Sequence, residues 1–253
     1  MGMVNISLEG KVALVAGASR GIGRAIAIAF AEQGADVIVS SRKQADLDIV
    51  AKEIQQTGRK GVALASHMAK VEDSKSLVAK IKDQFGRIDI LVNCAGTNPY
   101  FGPMIDAEEW AWDATFNVNL KGPFLLSQIV ARLMKETGGG NILNIASVGG
   151  FRPGYNQAIY SVTKAGMIML TEAMSAEWAQ FNIRVNAIAP GVIKTRMAEA
   201  LWKDPAVGEA AAKRTALKRL GIPEDIAGAA VFLVSEASSY ITGETIVIAG
   251  GRF

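Results

Sequence analysis

The chain has 253 residues, half of them hydrophobic, with a net charge of +3, one cysteine and one histidine. A core of that size needs no disulfide or metal support, the single Cys94 excludes a disulfide framework within one chain, and the lone His67 leaves no zinc-type ligand spacing, so no metal site is expected. Basic residues are spread along the chain, and the densest group, Lys213, Arg214, Lys218 and Arg219, reads as a solvated helix face without a reader motif, so no nucleic-acid partner is expected.

The segment Met1–Gly10 has neither a basic start nor an apolar run and does not read as a signal peptide. The apolar stretches are strand-sized rather than membrane-spanning. Gly251-Arg252-Phe253 is not a peroxisomal tail, so the expected location is cytoplasmic.

The first strand is predicted over Val12–Ala16, and the turn Gly17-Ala18-Ser19-Arg20-Gly21-Ile22-Gly23 follows it and opens a helix to Gln33. Glycines here let a pyrophosphate approach free N–H groups at the helix N-terminus. A merely structural turn would also be glycine-rich; the strand-to-helix junction is what favours a dinucleotide.

The second strand, Val37–Ser41, ends where an acidic residue would bind the adenosine ribose of NAD. Ser41, Arg42 and Lys43 stand there instead, with Arg20 nearby, and suit the 2′-phosphate of NADP. The bland alternative is an ordinary solvated helix start.

Next come a helix (Leu47–Gln56), a strand (Val62–Ala65), a helix (Ser74–Phe85) and a strand (Ile88–Asn93). A long loop, Thr97–Asp106, precedes a long helix over Ala107–Lys135. Gly138-Gly139-Gly140 then turns into the strand Ile142–Ala146.

Ser147 ends that strand, 13 residues before Tyr160. Tyr160 and Lys164 share one face of the helix Ile159–Trp178. A nearby ammonium is expected to lower the phenol pKa, so that Tyr160 serves as general acid or base while Ser147 holds the substrate oxygen. Alone, Ser147 reads as a turn residue and the Tyr/Lys pair as incidental.

The strand Ile183–Ala189, an irregular stretch Ile193–Leu220 with weak helical signals, a helix after Pro223 and the strand Thr245–Ile248 complete the chain. Repeated β-α units with continuous apolar strands imply a doubly wound, Rossmann-type α/β fold. One seven-stranded parallel sheet would carry helices on both faces, as a single domain over 1–253. Substrate selection is expected from the long loop, Gly149–Asn156 and about 193–220, through Tyr100, Phe101, Phe151, Tyr155, Met197, Leu201 and Trp202, which could equally pack loops or an interface.

Taken together, the glycine turn, Val92-Asn93-Cys94-Ala95-Gly96, Asn117-Val118-Asn119-Leu120, Ser147, Tyr160/Lys164 and Asn186-Ala187-Ile188-Ala189-Pro190-Gly191 resemble the short-chain dehydrogenases/reductases over essentially the whole length. The resemblance implies a catalytic tetrad of Asn119, Ser147, Tyr160 and Lys164, with Lys164 on the nicotinamide ribose and Asn119 holding a relay water. It also implies cofactor contacts from Asn93, Ala95, Gly96, Pro190, Gly191, Ile193 and Thr195. His67 or Met68 would pack near the adenine, where many members carry an acid.

Cys94 departs from the family pattern and reads as a buried packing residue. Within the family the nearest resemblance is to NADP-dependent carbonyl reductases/retinol dehydrogenases, with 3-oxoacyl-thioester reductases also similar. The long helices Ala107–Lys135 and Ile159–Trp178 resemble those through which family members form dimers and tetramers, and that resemblance implies a homotetramer. A sensor that binds NADP(H) without turnover would need the glycine turn and Arg42 but no tetrad.

Overall fold

The computed structural model describes residues 5–251; the outermost ends read above, residues 1–4 and 252–253, lie outside the described residues. Seven strands form one parallel sheet: β1 (Val12–Ala16), β2 (Asp36–Ser41), β3 (Gly61–Ala65), β4 (Ile90–Asn93), β5 (Gly140–Ile145), β6 (Ile183–Pro190) and β7 (Thr245–Ile248). Their order is β3-β2-β1-β4-β5-β6-β7. All seven predicted strands are present, within two residues at most ends.

Strands sealed on both faces can be apolar throughout, and β1 is buried at every position. The helices are α1 (Gly21–Glu32), α2 (Gln44–Gln56), α3 (Val71–Phe85), α4 (Glu109–Phe116), α5 (Gly122–Thr137), α6 (Ala158–Trp178), α7 (Pro205–Lys213) and α8 (Glu224–Val234). On one face Phe30 of α1, Leu47 and Ile54 of α2 and Ile226 of α8 form a core against Val15 and Val39. On the other, Ile81 of α3, Val130 and Met134 of α5 and Met174 of α6 pack on Leu14 and Leu91. The result is a single Rossmann-type domain. No helix among the described residues is long and apolar enough to cross a membrane.

Two elements differ from expectation. The long helix expected over Ala107–Lys135 is α4 and α5 joined by a widened π turn, Asn117–Lys121. Pro123 supplies the reason: it has no N–H to give the Asn119 carbonyl four residues earlier, so the regular ladder cannot run through. In the irregular stretch after β6, the weak helical signals resolve into a 3-10 segment, Arg196–Leu201, and the nine-residue α7, whose start Asp204 caps through the Ala206 N–H.

The order reverses between β1 and β4, and there the carboxyl ends of the strands diverge into a crevice, the usual ligand position of an open parallel sheet.

Candidate active site

A cleft of about 2170 Å³ lies along this edge, lined by the turns after β1 through β6 and by the face of α7. A single drug-sized ligand occupies roughly 300–1,000 Å³, so the cleft has room for a dinucleotide with a second molecule beside it.

Its floor is the glycine turn. Gly17 sits at φ +95°, and a Cβ there would run into the backbone of Ala95; one on Gly23 would strike the Gly17 carbonyl. The Gly17 N–H donates to the Ser40 carbonyl at 2.7 Å, which pulls the loop down onto β2. Helix α1 then begins with an extended Arg20, without a side-chain cap or an acidic residue in its first turn. Its first turn lines the cleft, and among the described residues no side chain caps its first N–H groups.

Ser41, Arg42 and Lys43 line the cleft at the end of β2. Neither Arg42, Lys43 nor Arg20 enters an ion pair among the described residues. One carboxylate does stand on this wall, Asp46 in the first turn of α2.

At the other end β5 delivers Ser147 and α6 delivers Tyr160 and Lys164 to one spot. The Ser147 hydroxyl accepts from the Gly149 N–H at 3.0 Å and is hydrogen-bonded to the Tyr160 phenol. Lys164, 5% exposed, donates to the Ile145 carbonyl at 2.7 Å, with Nζ 5.6 Å from the centre of the Tyr160 ring. Burial is the larger influence on both groups. It raises the Tyr160 pKa despite the opposing Ser147 hydrogen bond, and it lowers Lys164 to about 8. The phenol is thus shifted up and not down as expected, because it has left water and desolvation outweighs the opposing Ser147 hydrogen bond.

Cys94 is half-buried on the cleft wall rather than sealed in the core, and burial lifts its thiol to about 12. At that value it is a thiol, not a thiolate, and has no nucleophilic character.

Gly17, Ser19, Arg20, Gly21, Ile22, Gly23, Met68, Ala95, Gly96, Pro190, Gly191, Ile193 and Thr195 all line the cleft, as do Phe101, Phe151, Tyr155, Met197 and Leu201. Four expected residues do not.

Asn93 is buried beneath the floor, where its amide donates to Ser127 at 2.9 Å and to Asn144 at 2.8 Å. Asn119 has its amide on the backbone of Thr97, as acceptor at 2.8 Å and donor at 2.9 Å, and also donates to Thr163. Tyr100 folds onto its own loop and donates to the Pro103 carbonyl. Trp202 donates to the Thr195 carbonyl and faces a separate cavity of about 610 Å³. In each case a polar atom of the side chain is held by the protein itself, and the apolar count of a loop cannot register that.

Among the cleft residues not expected as site residues are three arginines beyond α1: Arg152, Arg196 and Arg214. The apolar weighting of these loops passed over the first two. Arg214 was grouped with a solvated face, yet its former companions are occupied elsewhere, Lys213 with Glu209 and Arg219 with Asp225. The two substrate loops also meet, the Gly102 N–H donating to the Asn156 carbonyl at 3.1 Å.

A family model described as Enoyl-(Acyl carrier protein) reductase matches residues 17–252. The pig dehydrogenase/reductase SDR family member 4 is 45% identical over 244 residues, covering 96% of this chain and 88% of the relative. A putative short-chain alcohol dehydrogenase from Sinorhizobium meliloti superposes with a TM-score of 0.93 at 40% identity, covering 97% of each chain. A gluconate 5-dehydrogenase from Burkholderia cenocepacia, solved with NADP and tartrate, gives 0.93 at 34% identity, covering 98% of this chain and 96% of its own. With one sheet, one crevice and one line of motifs in agreement, the chain belongs to the short-chain dehydrogenase/reductase family and is a dehydrogenase/reductase acting on alcohol or carbonyl groups.

Proposed function

We propose that the protein is an NADP(H)-dependent oxidoreductase that reduces a hydrophobic ketone or aldehyde, or oxidises the matching secondary alcohol. The observation that carries this reading is the convergence of Ser147, Tyr160 and Lys164 on one wall of the cleft.

The residues present fit the cofactor. Gly17 and Gly23 leave a cradle that a Cβ would fill, and the uncapped start of α1 suits a pyrophosphate. Ser41, Arg42 and Lys43, with Arg20, offer donors for a 2′-phosphate; Asp46 would stand against it but is outnumbered. Met68 and His67 line the adenine end, and Ala95, Gly96, Pro190, Gly191, Ile193 and Thr195 the remaining length. Asn93 acts indirectly, by bracing the strand that presents Ala95. The gluconate 5-dehydrogenase solved with NADP is an NADP-bound relative of the same fold.

When bound, the nicotinamide supplies the hydride. The chain's own residues handle the oxygen. Ser147, whose Oγ already accepts from Gly149, turns its proton toward the substrate carbonyl. Tyr160, kept protonated by burial, donates to the same oxygen as the alkoxide develops. Lys164 would hold the nicotinamide ribose. Its charge also helps the phenolate that forms after proton transfer, a charge absent beforehand.

The Asn119 side chain is committed to Thr97 and Thr163. A relay water therefore falls to its main-chain carbonyl, deprived of a helical N–H by Pro123, and the amide positions Thr97.

Exposed Trp110 and Phe124 on α4 and α5, with Val162 and Met169 on α6, support the homotetramer. A cytoplasmic setting belongs to the same reading. Parallel assays of NADPH and NADH consumption on a diketone, an aromatic ketone, retinal and an acetoacetyl thioester test it. NADPH-selective turnover that Tyr160→Phe abolishes, with NADPH affinity kept, is the expected result. Preference for the thioester would favour the 3-oxoacyl branch, and tight NADPH binding without turnover would favour the sensor.

A further inference from the structure

The stretch of cleft wall between β6 and α8 is built without a core. No residue of the 3-10 segment Arg196–Leu201 or of α7 is buried. A stretch that buries no apolar side chain has little besides polar ties to fix it, and such stretches open most easily. Its near end is anchored beside the sheet. There the Lys194 N–H donates to the Gly221 carbonyl at 2.8 Å and the Gly221 N–H to the Val192 carbonyl at 3.1 Å.

Beyond that anchor the chain crosses the crevice. The Thr195 methyl lies 3.3 Å from where a Cβ on Gly21 would stand, at the start of α1. The Met197 methyl lies 3.5 Å from where a Cβ on Gly96 would stand, after β4, and that point is itself 3.9 Å from Lys164 Nζ. Residues 195–197 thus touch both sides of the gap between β1 and β4, across which the dinucleotide is placed above.

Trp202 ties this strap together. Its indole N–H donates to the Thr195 carbonyl at 2.9 Å, seven residues back, and the Ala198 N–H shares that oxygen at 3.1 Å. The bond closes residues 195–202 into a ring, so the ends of the 3-10 segment cannot separate without breaking it. Helix α7 rides on the ring, since a Cβ on Gly208 would come 3.3 Å from the Trp202 carbonyl oxygen. The indole itself lines the cavity of about 610 Å³ and not the cleft, so it acts on the site only through Thr195.

We infer that Trp202 is a positioning residue for the cofactor: through the Thr195 carbonyl its indole N–H keeps the strap across the cleft and sets how long the bound dinucleotide stays. This rests on the reading of the cleft as a dinucleotide site. The bond governs release of the cofactor and leaves the proton transfer at Tyr160 alone.

The test is Trp202→Phe in the full chain, which keeps an aromatic ring and removes the N–H donor. Stopped-flow fluorescence should show NADPH dissociating about five- to ten-fold faster than from the wild type, the effect of one lost hydrogen bond, with KM for NADPH rising in proportion. A single turnover of the best carbonyl substrate of the panel above, at saturating NADPH, should stay within about two-fold of wild type. The Tm of the cofactor-free protein should stay within about 2 °C, because the position is not buried. Amide hydrogen exchange gives an independent reading: NADPH should protect residues 195–202 in the wild type and far less in the variant. An unchanged NADPH dissociation rate would overturn the inference, as would equal protection of 195–202 in both proteins. A single-turnover rate that falls as much as release quickens would overturn it too, by showing damage to the catalytic wall. A wild-type protein that binds neither NADPH nor NADH would remove the dinucleotide reading itself, and this inference with it.

Discussion

Replacing Lys164 by Met separates what the lysine does for catalysis from what it costs the fold. Its side chain is buried, and its pKa falls from the usual 10.5 to about 8. At about 1.4 kcal/mol per pH unit, that fall is worth on the order of 3 kcal/mol against the folded state at neutral pH. Methionine matches the length without a charge, but it leaves the Ile145 carbonyl without the donor now 2.7 Å away, a loss of about 1–2 kcal/mol.

The variant should therefore be more stable at pH 7 by about 1–2 kcal/mol, or roughly 3–6 °C in Tm for a chain of this size. Its turnover should fall by more than about 100-fold.

The pH dependence is the sharper reading. Between pH 8 and 10.5 the unfolded lysine keeps a proton that the folded one has lost, so wild-type stability rises with pH across that window relative to the variant. Urea unfolding of the cofactor-free proteins, at one protein concentration and at several pH values from 7 to 9.5, reads this directly. Tyr160 and Cys94 titrate in both proteins and largely cancel in the difference. Two stability–pH curves running parallel over that range would refute the account of Lys164 as a buried, desolvated ammonium.

Three other outcomes are expected. Ser41→Asp with Arg42→Ile should shift the ratio of NADPH to NADH specificity by at least about ten-fold toward NADH, measured as kcat/KM for each cofactor. Gly17→Ala should abolish measurable cofactor binding by fluorescence titration, and lower stability by about 2 kcal/mol or more. A Cβ at φ +95° meets the Ala95 backbone, which has no flexible end to move aside. Asn119→Leu should loosen the loop after β4, since it strips both partners from the Thr97 peptide groups. We expect faster limited proteolysis within 97–106 and a kcat about ten-fold lower.

The sheet was legible because each strand is an apolar run bounded by turns. That pattern survives without any knowledge of neighbours, and strands such as Val12–Ala16 and Thr245–Ile248 have the expected bounds. The glycine turn was legible from its place at the first strand-to-helix junction, and the joint role of Ser147, Tyr160 and Lys164 was implied only by the family resemblance. Less legible was what depends on a partner far along the chain.

Asn119 reads as a cleft residue until Thr97, 22 positions away, is seen to occupy its amide. Asn93 likewise belongs to Ser127 and Asn144. The break at Asn117–Lys121 had a visible cause in Pro123, which an otherwise strong helical pattern concealed. The upward shift of the Tyr160 pKa follows from how much water is excluded, a property of the folded wall and not of a four-residue spacing.

The bond from Gly102 to the Asn156 carbonyl joins a loop leaving β4 to a loop leaving β5, and Asn156 takes a left-handed φ of +59° at that point. The mouth of the cleft is thus a single bridged arch whose halves come from separate segments. A change of length in either half would drag the other. Divergence of substrate choice along this scaffold should accordingly proceed by matched alterations on both sides, and anyone transplanting one such loop from a relative should move its partner with it.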